Sequence, residues 1–241
     1  MIDNIKELLE NGLNAQDNNG KTPLVLAAWQ GDMKTVKELL AMGADVLITD
    51  DLGNNVLHYA ARQDNLEVLN VILNTNVDIN LKSEGGYEQT ALFTPAEVGN
   101  IPILRTLLER GANPDIQDKY KMTALQWALQ HGKIEAVRTL LAFNANVNNT
   151  KNNKGVTPLM SAAIKGVMEC VCMLVEAGAE INVTAKDGFT ALIYAAYYGN
   201  AEIVKYLLTQ GADKNAVTKK GETALSIAEK KKFDTIVAIL I

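Results

Sequence analysis

The sequence repeats itself, and the length of its period constrains the fold more than any other feature. A Thr/Asn-x-Leu tripeptide recurs at residues 22, 55, 90, 123, 157, 190 and 223, at steps of 33, 35, 33, 34, 33 and 33 residues. A second recurrence runs between these registers: VKELLAMGADV, LRTLLERGANP, VRTLLAFNANV, VCMLVEAGAEI and VKYLLTQGADK. A unit of this size cannot bury its own apolar face, so like units must stack and share one continuous core. Each unit reads as a short helix, a longer helix, then a Gly-Ala-Asp turn leading to a polar hairpin.

Local chemistry agrees. Thr is a good N-cap, and Pro23 and Pro158 fall at the first helical position, where no N–H is needed. Gly43, Gly111, Gly178 and Gly211 follow the second helix, where a left-handed residue is expected. Asn76 and Asn144 occupy the same register and are predicted to adopt the same conformation. Lys121 stands where Gly20, Gly53, Gly155, Gly188 and Gly221 stand in other hairpins, which predicts a different turn there. The third unit is irregular: its hairpin, NLKSEGGYEQTAL, has two extra residues, and Pro95 sits where the first unit has Ala27. Proline there is predicted to distort or shorten the helix. The insertion reads either as tolerated or as a break that presents Glu84–Glu88 to a partner.

These registers resemble the ankyrin repeat, whose signature is Thr-Pro-Leu-His-x-Ala at a 33-residue period. Here it appears as TPLVLAA, NVLHYAA, TALQWAL, TPLMSAA, TALIYAA and TALSIAE. The resemblance covers almost the whole chain and implies an all-α solenoid of antiparallel helix pairs with projecting β-hairpin loops. It also implies a concave, protein-binding surface made by hairpins and first helices, and a structural role for His58 in bracing adjacent hairpins. On this reading residues 1–241 form one domain, with a half repeat at 1–21 and units starting near 22, 55, 90, 123, 157, 190 and 223. The last unit, where Glu229 and Lys230–Lys232 replace the usual Ala-x-x-Gly, is expected to be a polar C-terminal cap. The apolar ending TIVAILI leaves open a segment of a longer protein.

Composition narrows the chemistry. A net charge of −5 argues against a general nucleic-acid or anionic-membrane binder. No apolar run approaches the ~20 residues that span a bilayer, and MIDNIKELLENG lacks a secretory pattern. Cys170 and Cys172, the only cysteines, are two apart on a helix and point away from each other, so reduced thiols of a cytoplasmic protein are expected. His58 and His131, the two histidines, have no metal-ligand spacing around them, and the glycines never cluster as a phosphate loop. No enzyme, cofactor or metal is expected.

Aromatics are only 5% of the chain, yet both tryptophans and four of the seven tyrosines share one helical face. The recurring Leu, Ala, Ala and Gly of the first helix lie at positions +2, +5, +6 and +9 from the Thr, a face centred near about 190° at ~100° per residue. Tyr194, Tyr197 and Tyr198 take +4, +7 and +8, centred near about 30°, almost opposite. Trp29 at +7, Tyr59 at +4 and Trp127 at +4 share that face, with Gln30, Arg62, Gln63, Gln130, His131 and Lys165 as polar neighbours. Aromatics and Arg are enriched at binding hot spots. Position +4 also holds Leu26 and Ile227, so Tyr59, Trp127 and Tyr194 either pack between units or bind. Asp50, Asp51, Tyr87, Tyr120, Lys154 and Lys186 are the candidate hairpin contacts. Hairpin charge drifts from acidic (Asp45, Asp50, Asp51, Asp78, Glu84, Glu88) to basic (Lys119, Lys121, Lys151, Lys154, Lys186, Lys219, Lys220, diluted by Asp118, Asp187 and Glu222), a gradient able to orient an extended partner.

The function expected is a non-enzymatic, monomeric, cytoplasmic module that binds a protein on its concave face. Alternatives are a targeting or regulatory domain of a larger, even enzymatic, protein, and a bacterial toxin-neutralising or host-directed effector secreted without a signal peptide.

Overall fold

A computed structural model of the chain describes residues 2–149 and 153–241. Among the described residues all regular structure is helical, in two compact units, 1–119 and 120–241. The first holds α1 (Ile2–Glu10), α2 (Pro23–Gln30), α3 (Met33–Ala41), α4 (Val56–Arg62), α5 (Leu66–Leu73), α6 (Phe93–Val98) and α7 (Ile101–Glu109). The second holds α8 (Ala124–Gln130), α9 (Ile134–Ala142), α10 (Pro158–Lys165), α11 (Met168–Glu176), α12 (Ala191–Tyr198), α13 (Ala201–Thr209), α14 (Ala224–Lys231) and α15 (Asp234–Leu240).

Except for α6, each first helix starts where its Thr or Asn can cap it. Thr22 accepts from the Val25 amide, Thr190 from Ile193, and Asn55 from Leu57 and His58. The helix then pairs with the one after it and stacks on its counterparts: α2, α4 and α6 form one row of the first unit and α3, α5 and α7 the other. In the second unit α8, α10, α12 and α14 form one row, and α9, α11, α13 and α15 the other. Of the seven tripeptide leucines, Leu24, Leu57, Leu92, Leu125, Leu159 and Leu192 are buried between these rows, and Leu225 of the last unit is half-buried. Each full burial contributes about 2 kcal/mol. Alanine at +5 and +6 lets the paired helices approach closely, and Ala27, Ala28, Ala195 and Ala196 are fully enclosed.

The hairpins are turn loops held to one another by single backbone bonds. In the first unit the Asp51 amide donates to Asn19, Gly85 to Leu52 and Lys119 to Tyr87; in the second, Asn153 donates to Tyr120, Lys186 to Lys154 and Lys219 to Asp187. A ladder that the repeat pattern did not reveal runs beside them. The side-chain oxygens of Asn14, Asn80, Asn148 and Asn182 accept from the amides of Asp45, Asn113, Glu180 and Asp213, one unit further on.

Two backbone expectations need correction. Lys121 does not change its hairpin: it takes φ 62°, the conformation of the glycines it replaces. The shared stack dictates the turn, and the lysine bears a strain of about 1–2 kcal/mol. Asn76 does not take the left-handed conformation of Asn144 (φ 59°). Helix α5 instead stops after Leu73, and the Thr75 hydroxyl closes the turn on the Ile72 carbonyl at 2.7 Å. Helix α6 is short, as Pro95 predicts. It begins two positions later than its counterparts, which puts Pro95 in the first turn, and no side chain caps it. In the last unit Lys232 replaces the +9 glycine and is left-handed at φ 60°.

Candidate interaction surface

In the first unit, the aromatic residues of α2 and α4 meet end on. Trp29 and Tyr59 have ring centroids 6.0 Å apart. The Lys21 ammonium sits 4.5 Å from the Trp29 ring and 5.5 Å from that of Tyr59, whose other side faces the Arg62 guanidinium at 5.5 Å. Trp29 is 45% exposed, whereas Tyr59 is only 4% exposed and its hydroxyl donates to the Asp50 carboxylate, itself 6% exposed. Of the two readings left open for Tyr59 it is packing that the structure shows, and Asp50, expected as a hairpin contact, is buried with it. The hairpin before α4 folds back over it, so the tyrosine closes a buried polar contact inside the unit. Burial raises the Tyr59 phenol pKa, and the Asp50 bond raises it further. Burial also pushes the Asp50 carboxyl up, but bonds from Tyr59, Asn54 and Leu52 outweigh it, so the group lies below the ordinary carboxylate value.

His58 braces the hairpins as the repeat motif implies. Its Nδ1 accepts from the Asn55 amide at 3.2 Å, and its Nε2 lies 3.1 Å from the Gln89 carbonyl in the next hairpin. Arg62 and Tyr87 line a small cleft beside it, about 250 Å³, with Leu52 and Ser83. Gln30 and Asp51 are exposed, and Gln63 is half-buried at the end of α4.

In the second unit the chain offers two clefts. The first, about 450 Å³, collects four expected residues, Tyr120, Gln130, Lys154 and Lys165, around Met122 and Ile164. Trp127 and His131 stand aside: their rings stack on each other at 5.6 Å and 6°, and His131 Nδ1 bonds the Trp127 carbonyl at 3.0 Å. The second cleft, about 460 Å³, is lined by the three tyrosines of α12, by Phe189, and by Lys219 and Lys220. Phe189, absent from the sequence expectation, joins the rings. Its centroid is 4.8 Å from Tyr194 and 6.0 Å from Tyr197, which meets Tyr198 edge-on at 5.1 Å. Lys231 of α14 lies over the Tyr197 ring at 3.7 Å. Tyr197 and Tyr198 are 38% and 50% exposed, while Tyr194 is half-buried and donates to Asp187 at 3.1 Å. Burial, with Asp187 beside it, raises the Tyr194 phenol pKa. Position +4 thus packs, and +7 and +8 remain open. Lys186 is exposed. Lys151, part of the expected hairpin gradient, lies outside the described residues.

Cys170 is buried and Cys172 half-buried, both free. Burial pushes the Cys170 thiol up to about 11. Among the described residues no cluster of three metal-ligating side chains forms, and no helix is long and apolar enough to cross a membrane.

Within each unit, stacked helix pairs with stitched hairpins define an α-solenoid arrangement. Family models described as ankyrin repeats (3 copies) match residues 1–83, 43–118 and 92–185, and one described as ankyrin repeats (many copies) matches 174–228. The chain belongs to the ankyrin-repeat family, and ankyrin repeats are protein-interaction modules. Human transient receptor potential cation channel subfamily A member 1 is 31% identical over 182 residues, covering 72% of this chain and 16% of the channel. A putative ankyrin repeat-containing protein of Treponema pallidum is 32% identical over 121 residues, 49% of this chain and 40% of that protein. The phosphocholine transferase AnkX of Legionella pneumophila is 32% identical over 100 residues, 41% of this chain and 10% of the transferase. The chain thus corresponds to less than half the length of each of these relatives.

Proposed function

We propose that this protein is a non-enzymatic module that captures a protein partner on the surface made by its first helices and hairpins. The observation that carries this reading is the exposure of Trp29, Tyr197 and Tyr198. Large aromatic side chains are held at the open positions of helices whose opposite face is buried. Such rings supply contact area with few torsions to freeze. The stacked units hold them in place before binding, so little conformational entropy is lost. The reading includes a monomer in the cytoplasm, where unbridged thiols such as Cys170 and Cys172 persist.

The test is affinity capture from native lysate with the wild-type chain and with Tyr197→Ala/Tyr198→Ala. The double variant is expected to lose the enriched partner while its thermal midpoint stays within a few degrees. Intact capture together with a large fall in the midpoint would assign both rings to the core and refute the reading. A second reading, a targeting or regulatory array within a longer protein, draws support from the small share of each relative that the chain matches. The gene's open reading frame decides it.

A further inference from the structure

Formal charge divides unevenly between the two units. Residues 1–119 hold 18 acidic and 9 basic side chains, and residues 120–241 hold 10 acidic and 14 basic, so the units carry −9 and +4. Within the second unit, Lys219 and Lys220 line the tyrosine cleft. Two carboxylates line that cleft, Asp187 and Glu222, and both are engaged by the chain itself. Asp187 accepts from the Phe189 amide at 3.0 Å and from the Tyr194 hydroxyl at 3.1 Å. Glu222 is held by Lys230 at 2.5 Å. Lys219 and Lys220, on the same rim, are in no ion pair among the described residues. Their backbone amides donate to Asp187 and Thr218, and the Lys220 charge also acts on Glu222. The cleft therefore presents four aromatic rings for an apolar group and two ammonium groups, neither in an ion pair among the described residues, for anions.

Resting on the interaction reading above, we infer that the cleft of Phe189, Tyr194, Tyr197 and Tyr198 binds an acidic protein segment carrying a bulky apolar side chain. The side chain lies against the rings, and flanking carboxylates meet Lys219 and Lys220. Complementary charge sets the choice of partner and speeds encounter, while the rings hold the complex. A basic segment is disfavoured, because three lysines of the chain, Lys219, Lys220 and Lys231, already surround the rings and both carboxylates have partners.

Fluorescence anisotropy with the intact chain tests this. The probe is a labelled peptide of about twelve residues, rich in Asp and Glu, with one central Trp. The comparison peptides replace Trp by Ser, or Asp and Glu by Lys. The acidic Trp peptide is expected to bind, and Lys219→Gln/Lys220→Gln to weaken it roughly tenfold. Tyr198→Ala is expected to weaken it by a similar factor. The exposed control pair Lys37→Gln/Lys205→Gln removes the same charge elsewhere and should leave binding unchanged. Far-UV circular dichroism confirms that each variant is folded, and the lysine pair, which alters only exposed side-chain ends, keeps the test open if Tyr198→Ala unfolds. Equal binding of the Ser peptide, equal loss in the control pair, or no binding by the wild type overturns the inference. So does tighter binding of an oligo(dT) strand, or a dimer in sedimentation that the acidic peptide fails to disperse. If the peptide fails while Tyr197→Ala/Tyr198→Ala still abolishes cellular capture, the acidic chemistry falls and the interaction module stands. If both fail, the module reading falls as well.

Discussion

At the scale of single residues, the position three after each Thr or Asn shows how one backbone problem takes different chemical solutions. His58 receives the Asn55 amide and reaches the Gln89 carbonyl; Gln126 receives the Thr123 amide at 3.2 Å and donates to the Val156 carbonyl at 2.9 Å. The two differ in titration. Burial pushes the His58 imidazole down to about 4, against the bond to Gln89 and with help from Arg62. An unfolded chain takes up that proton near 6.5, so folding is progressively penalised as pH falls from about 6.5 towards 4, by on the order of 3 kcal/mol at the acid end. Above 6.5 the penalty vanishes. His58→Gln, which imports the Gln126 arrangement, is expected to remove most of this slope while changing stability at pH 8 by less than about 1 kcal/mol. Urea melts at pH 8, 6 and 4.5 measure it; an unchanged slope would place the titrating group elsewhere. His58 as a brace was legible because the repeat motif contains it. Tyr59 was not, because its exposure depends on Asp50, which approaches from the preceding hairpin, and no single-helix projection contains that contact. The exposure of Trp29, Tyr197 and Tyr198 was legible because positions +7 and +8 lie opposite the buried face of their own helix.

At the scale of elements, capping and period set helix starts wherever the unit is regular, and α6 shows what happens when they conflict. Thr90 stands at the capping register and Leu92 at the core register, yet the helix begins only at Phe93. Pro95 has no N–H for the carbonyl four residues back, and its ring would collide there, so the first two positions become a turn. Leu92 still reaches the core and Phe93 is buried beside it. Pro95→Ala is expected to let α6 start at Ala91 under the Thr90 cap, adding about 1 kcal/mol of stability. Hydrogen exchange would then show new protection at the amides of residues 94 and 95, since those of Phe93 and Ala96 are already bonded. If protection there does not change, the two-residue insertion in the preceding hairpin, and not the proline, sets the start. The insertion itself turns on Glu88 at φ 55°, with Lys82 paired to Glu88 at 3.3 Å. Neither the left-handed Glu88 nor that of Lys121 could be read from residue type, since both are imposed by neighbouring hairpins through the backbone bonds of Gly85 and Asn153.

At the scale of the whole chain, the open question is whether the two compact units behave as one domain. The step from Thr90 to Thr123 is 33 residues, as elsewhere in the array, and no Pro-, Gly- or Ser-rich stretch interrupts residues 112–122. A repeat array with regular spacing couples each unit to the next, and a short array of this kind unfolds cooperatively. We therefore propose a single domain over residues 1–241. The chain carries its own reporters, because its two tryptophans fall one in each unit, Trp29 in 1–119 and Trp127 in 120–241. Trp29→Phe leaves fluorescence from the second unit alone, and Trp127→Phe leaves it from the first. Trp29 is exposed and Trp127 only half-buried, so phenylalanine at either site should cost less than about 1 kcal/mol. Urea transitions read from the two single-tryptophan variants are expected to coincide in midpoint and slope, and to match the helical signal of the unaltered chain. Separate midpoints that persist after correction for the cost of each substitution would mean that the units fold independently. The acidic first unit would then have to be treated as a module distinct from the basic second.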